Sequence, residues 1–191
     1  MIKKISAEYW IKKLLEVEKT LNNQDKVDIF LVFGKIKPAA MIEISYLKNY
    51  RFSKKKFTNE IRALKKILNS LGLRYKLHIN YPKSKIEVTR YSFIARNKRT
   101  LKKIISADNS KNTRENRLKV GALLGYPITA VKAFANNKSI DSNALSKKNN
   151  ELKFLNFRLS KDWRNEIKYL KKIAKEIKNL APSLYKKILK K

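Results

Sequence analysis

The chain of 191 residues carries 47 Lys and Arg against 15 Asp and Glu, a formal net charge of +32, alongside an ordinary 43% of apolar residues. It has no cysteine and one histidine, which excludes disulfides, thiol nucleophiles, Cys-ligated zinc and multi-His metal centres, and no cofactor is expected. No run approaches the roughly 18 apolar residues that cross a bilayer, and Glu8, Glu16 and Glu18 interrupt the basic start, so a cytoplasmic protein with a buried core is expected.

Residues 6–22 predict an amphipathic helix capped by Ser6, with Trp10, Ile11, Leu14, Leu15, Val17 and Leu21 at helical spacing. "VDIFLVFG" (27–34) is β-branched and aromatic and reads as a strand, with "AAMIEISYL" (39–47) as its hairpin partner. A short helix opened by Pro38 is the alternative for the second segment. A helix opening at Ser53 or Thr58 follows, with Phe57, Ile61, Leu64, Leu68 and Leu71 on one stripe and Gly72 ending it. "RYKLHIN" (74–80) alternates with Tyr75, Leu77 and Ile79 inward, and "IEVTRYSFIA" (86–95) forms the second arm, with a bulge near Thr89-Arg90. Asn97 caps a short helix containing Leu101, Ile104 and Ile105.

Two polar segments, 106–116 and 136–150, read as loops, the second as the most mobile. "LKFLNFRL" (152–159) reads as a last strand. Ser160 opens a helix with Trp163, Ile167, Leu170, Ala174 and Ile177 on one face, broken at Pro182. This order predicts an α+β protein: an antiparallel sheet of about four to five strands covered by helices. Three regions, 1–106, 112–137 and 151–191, make one compact domain.

Between the loops lies "VGALLGYPITAVKAF" (120–134). Thr113 caps a helix that Gly125 ends in left-handed geometry, and Pro127 starts the next, which runs to about Asn136. Gly121, Leu124, Gly125, Val131 and Phe134 match both a helix-turn-helix and a structural αα-corner. As a DNA reader the second helix would present Thr129, Lys132, Asn136 and Lys138. It lacks an early Arg, Asn or Gln for bidentate base contacts, so the corner is the preferred reading. The motif Gly121, Gly125, Tyr126, Pro127 also resembles an uncharacterised prokaryotic domain family with a GxLLGYP-type signature, which the "SKDW…AP-x-LY" segment (160–185) extends. The Cys-Cys pair that often follows the turn there is Thr129-Ala130 here, so no thiol or metal role carries over. The resemblance implies no known activity and leaves an unknown ligand or enzymatic activity as one alternative.

Charge carries the functional expectation. AT-rich coding explains 37 Lys against 10 Arg better than it explains so few acids, and a polyanion partner is the physical alternative. The candidate nucleic-acid contacts are Lys54, Lys55, Lys65, Lys66, Arg74, Lys76, Arg90, Arg96, Lys98, Arg99, Lys102 and Lys103. Lys168, Lys171, Lys172, Lys175 and Lys178 extend them along one helix, and Thr129 and Lys132 belong to the helix-turn-helix reading. A non-enzymatic nucleic-acid-binding protein is expected, with RNA ahead of DNA. A DNA-binding regulator and adhesion to an anionic membrane surface are the alternatives. Tyr75, Tyr81, Tyr91 and Phe93 offer a base-stacking platform or a core. Asp28 with Glu43 is a weak Mg²⁺ candidate, and His78 with Glu87 a weak general base.

Overall fold

The computed structural model describes residues 6–18, 20–44, 54–79, 91–110, 112–141, 145 and 150–190. Among them the chain forms eight α-helices and one three-stranded antiparallel sheet. Helix α1 (Ala7–Glu16) starts where Ser6 Oγ accepts from the Tyr9 N–H, and its stripe buries Trp10 and Leu14. It stops at Glu16, short of the expected residue 22.

The segment 27–34 is a helix, not a strand: α2 spans Asn23–Phe33. Asn22 Oδ1 accepts from the Asp25 N–H at 2.8 Å, satisfying a free helix-end donor. Every residue from Asp25 to Val32 is buried. A helix enclosed on all sides has no polar face, so its sequence shows none of the 3.6-residue alternation that marks a surface helix. The expected hairpin of 27–34 with 39–47 therefore does not exist. Lys35 takes a left-handed conformation (φ 66°), and the Ile36 and Lys37 N–H groups both donate to the Leu31 carbonyl. That reversal sends the chain back into β1 (Ala39–Ile42).

The sheet order is β1-β3-β2, with β2 (Arg74–Lys76) and β3 (Ser92–Ala95). Ala39 lies opposite Ala95 on one edge of the central strand, and Arg74 opposite Ala95 on the other. Alternation sorts the side chains to two cores. Ala40, Ile42 and Ile94 face the main core with α1, α2 and α3 (Lys54–Ser70). Ala39, Phe93 and Ala95 face a smaller core closed by Ile104 of α4 (Lys98–Asp108) and by Leu124. The sheet thus has three strands rather than four to five among the described residues. The region 152–159 does not add one: Asn150–Phe154 is a 3₁₀ helix, and Leu159 makes only an isolated bridge to Ile140. The expected bulge at Thr89-Arg90, Tyr81, Glu87, and residues 142–144 and 146–149 of the segment expected to be a loop lie outside the described residues.

Several other local expectations hold, and two element starts shift. The α3 stripe Phe57, Ile61, Leu64, Leu68 and Leu71 is buried, and Asn97 and Thr113 cap their helices through the Thr100 and Asn116 N–H groups. Helix α5 (Arg114–Leu123) begins inside the segment expected to be a loop. Pro127 is the N-cap of α6 (Ile128–Ala135). Helix α7 (Trp163–Leu180) opens after Asp162 rather than at Ser160; it buries Ile167, Leu170, Ile173, Ala174 and Ile177 and leaves Trp163 half-buried, and Pro182 opens α8 (Pro182–Leu189). Helices α5 and α6 approach so closely that a Cβ on Gly121 would sit 2.7 Å from both Val131 methyls. Gly125 has φ +70°, and a Cβ there would lie 2.9 Å from Pro38 Cδ. No helix among the described residues is long and apolar enough to cross a membrane.

The glycines should separate by urea midpoint. Gly72→Ala pays only for its left-handed backbone (φ +71°, open space), about 1–2 kcal/mol. Gly125→Ala adds the Pro38 clash and should be the least stable. Gly121→Ala costs about 1–3 kcal/mol of overpacking, partly offset by roughly 1 kcal/mol of helix propensity. Equal midpoints for Gly72→Ala and Gly125→Ala would show that the turn does not press on Pro38.

Candidate nucleic-acid interface and adjoining cavity

The cations named from the sequence are exposed wherever they are described, and Arg90 alone falls outside the described residues. They form separate groups rather than one continuous row. On α3, Lys54 and Lys55 open the helix and Lys65 and Lys66 sit further along, with Lys66 Nζ 5.8 Å from the Trp10 ring centre. On α7, Lys168, Lys171, Lys172, Lys175 and Lys178 lie opposite the buried face, on a helix packed against α2, α6 and α8.

The third group is drawn together by the sheet. Arg74 pairs across from Ala95, whose chain neighbour Arg96 leads through Asn97 into α4, and α4 packs against β2 and β3. Arg74, Lys76, Arg96, Lys98, Arg99, Lys102 and Lys103 are thereby gathered around β2 and the first turns of α4. None of the seven makes an ion pair with a carboxylate among the described residues. Lys98 with Lys102 and Arg99 with Lys103 are i,i+4 like-charge pairs, each costing about 0.2–0.5 kcal/mol. The first turn of α4 holds no acid, so cations there oppose the helix dipole at about 0.3–1 kcal/mol each.

The GYP junction sits on a buried ion pair. Lys37 Nζ lies 2.8 Å from Asp28 Oδ1, with both side chains at or below 7% exposure. The same oxygen accepts from Asn156 Nδ2, and Lys37 Nζ stands 4.7 Å from the Tyr126 ring centre. Tyr169 donates its hydroxyl to the Gly125 carbonyl at 2.8 Å. Burial, followed by the charge of Asp28, pushes the Tyr169 phenol up to about 12 and that of Tyr126 further above its usual range. A second buried acid, Glu166 (1% exposed), accepts from the Thr129 and Ser160 hydroxyls and the Ser160 N–H, tying the start of α6 to α7.

Beside the junction opens a cavity of 590 Å³, within the range of about 300–1,000 Å³ typical of ligand pockets. The end of α4, helices α5 and α6, Tyr91 and the segment 156–158 form its walls. Four of its rings are Tyr91, Tyr126, Phe134 and Phe157, and Tyr126 lies 5.4 Å from Phe157 between centres. Arg117 is held by the amide oxygens of Asn112 (3.0 Å) and Asn137 (2.9 Å) and stands 5.9 Å from the Phe134 ring. Arg158 is exposed and has no hydrogen bond or ion pair among the described residues. Asp108 also lines the cavity, and burial holds its carboxyl above the usual range while nearby His78 pulls it down.

Other expected constellations come apart. Asp28 is bound to Lys37 and Asn156, Glu43 is exposed, and no group of three or more metal-ligating side chains occurs among the described residues. The carboxylate near His78 is Asp108, and the His78 backbone is bridged by Ser92 Oγ. Thr129, named as a base reader, donates its hydroxyl to Glu166, while Lys132 is exposed. Phe93 is buried and Tyr75 packs on the core, so of that aromatic set Tyr91, 37% exposed, reaches the cavity. Lys37, Asn156, Glu166, Arg117 and Arg158 were not singled out by sequence reasoning. Asp28 inside the apolar run 27–33 was the one legible sign of a buried charge that must be paired or neutralised.

Lys37→Met strands Asp28 and should cost about 3–5 kcal/mol, whereas Lys37→Met with Asp28→Asn should recover much of it. A double variant as unstable as the single one, by urea unfolding, would contradict this pairing. Asp25 is 8% exposed, with Oδ2 unpartnered. Burial, then the charge of Asp28, raises its carboxyl to about 7 from 3.8. The folded state therefore holds a proton that the unfolded state has released, so this contribution is full below pH ~4 and is lost as pH rises to ~7. Asp25→Asn should flatten that decline and exceed the native protein in stability at pH 8, checked by thermal melts across pH.

Neither a protein-family model, a curated protein nor a solved structure matches the chain.

Proposed function

We infer that the protein binds nucleic acid, RNA ahead of DNA, through contacts to phosphates and without catalysis. The observation that carries this reading is the group Arg74, Lys76, Arg96, Lys98, Arg99, Lys102 and Lys103. It is exposed, contiguous through strand register and helical spacing, and without carboxylate partners among the described residues. In the free protein that arrangement repels itself and opposes the α4 dipole. A row of phosphates would reverse the sign of both terms. Lysines supply affinity as point charges and little sequence readout.

The α5–α6 junction fits this reading as a corner that positions a wall rather than as a DNA reader, because Thr129 is committed to Glu166. Adhesion to an anionic membrane is less well supported. The apolar face of α7 is buried in the core, so its lysines have no free apolar face beside them to enter a lipid surface.

Affinity for RNA measured by fluorescence anisotropy should fall steeply with salt, by about 10³–10⁵ between 50 and 200 mM if six to ten phosphates are engaged. Lys98→Glu, Lys102→Glu and Lys103→Glu together should lower both the affinity and the salt slope more than the matched triple Lys171→Glu, Lys172→Glu, Lys175→Glu. Absence of salt-sensitive binding to either RNA or DNA would overturn the reading.

A further inference from the structure

We propose that the cavity between α4, α5, α6 and the segment 156–158 is a nucleotide site, taking one unpaired base among its rings and the attached phosphate on Arg158 and Arg117. The inference rests on the nucleic-acid reading and adds where, and in what form, the strand is gripped.

The lining matches the two halves of a nucleotide. A planar base needs apolar faces, and Tyr91, Tyr126, Phe134 and Phe157 provide rings at the walls. Phe134 is 45% exposed and Tyr91 37%, so these rings are not spent on the protein's own core. A phosphate needs uncompensated cations. Arg117 is held in place by amides instead of an acid, which fixes the guanidinium without neutralising it. Arg158 stands free at the same cavity.

The lining also offers an acceptor for a base edge: Asp108 lies in the wall, and its carboxyl suits the exocyclic amine or ring N–H of a base and is unsuited to a phosphate. The base is accordingly assigned to the rings and Asp108, and the phosphate to the arginines.

Continuity with the cationic group comes from α4. Arg99, Lys103 and Ala107 recur at i,i+4 spacing on one side of the helix, and Ala107 lines the cavity. The helix of 11 residues is about 16 Å long. A single strand following the Arg99–Lys103 stripe would therefore arrive at the cavity with its next unstacked base. A free mononucleotide has the same chemistry, and the test distinguishes the two.

The experiment measures binding of AMP, GMP, CMP and UMP by calorimetry, and of a fluorescent single-stranded RNA long enough to span α4 and the cavity. It compares the native protein with Ala107→Trp, which fills the cavity, and Arg158→Ala, which removes an exposed side chain with no hydrogen bond or ion pair among the described residues and is expected to fold as the native chain does. Loss of one stacked base corresponds to about tenfold or more in affinity. A drop of that size for RNA in both variants, without mononucleotide binding, assigns the site to a residue of the strand. Mononucleotide binding that both variants abolish assigns it to the free nucleotide. RNA affinity within twofold of native in Arg158→Ala and Ala107→Trp, with no mononucleotide bound, overturns the proposal. In that case the α4 charge-reversal triple still reports on the nucleic-acid reading. If the native protein binds no RNA or DNA, the broader reading fails, and the mononucleotide titrations alone decide the cavity.

Discussion

The Lys37–Asp28 ion pair is the constraint on which the arrangement around the GYP junction depends. Two charges are taken out of water, a step that costs several kcal/mol per ion unless geometry and further hydrogen bonds compensate. Compensation comes from three directions: Asp28 from within α2, Asn156 from the segment after the 3₁₀ helix, and the face of Tyr126 from the GYP turn. Asp28, Tyr126 and Asn156 lie far apart in sequence, so satisfying the two charges fixes the relative position of three parts of the chain. Gly125 is then pinned a second time, by the Lys37-Pro38 backbone beneath it and by the Tyr169 hydroxyl.

The same anchoring positions the walls of the cavity. Helices α5 and α6 are pressed together through Gly121 and Val131, and Glu166 holds the first turn of α6 against α7. With the two helices fixed to each other and the turn fixed to Lys37, the walls of the space between them and α4 are held in place. The walls are partly polar, and polar walls retain a site where an apolar void would be a pure loss of contacts. The cationic group on β2 and α4 is positioned by the same sheet, because the edge pairing of Arg74 with Ala95 brings it beside the start of α4.

Much local structure was legible in the residues. Ser6, Asn97 and Thr113 mark helix starts through side-chain oxygens, and Gly72 and Gly125 mark ends by their left-handed backbone. The failures share one cause. Val27–Phe33 reads as a strand because burial of every residue from Asp25 to Val32 erases the periodicity that distinguishes helix from strand, although Asn22 and Asp25 stand at cap spacing. The segment 152–159 was misread because short alternation arises equally in a 3₁₀ turn with Leu152 and Phe154 inward. Of the site, the lysines were plain and the cavity was not. Arg117, Asn156 and Arg158 belong to two segments about 40 residues apart, and nothing local to either marks them as a pair.

The amino-acid sequence by itself determined the net charge, the absence of thiol and multi-histidine chemistry, the helix caps and the glycine turn, since each is a property of a residue or its near neighbours. Only the tertiary structure decided that 27–33 is a helix, that Asp28 meets Lys37 and Asn156, and which of the many cations share a neighbourhood. Those outcomes depend on burial and on long-range pairing. Both are energies of contacts between distant segments, and no single stretch of the chain encodes them.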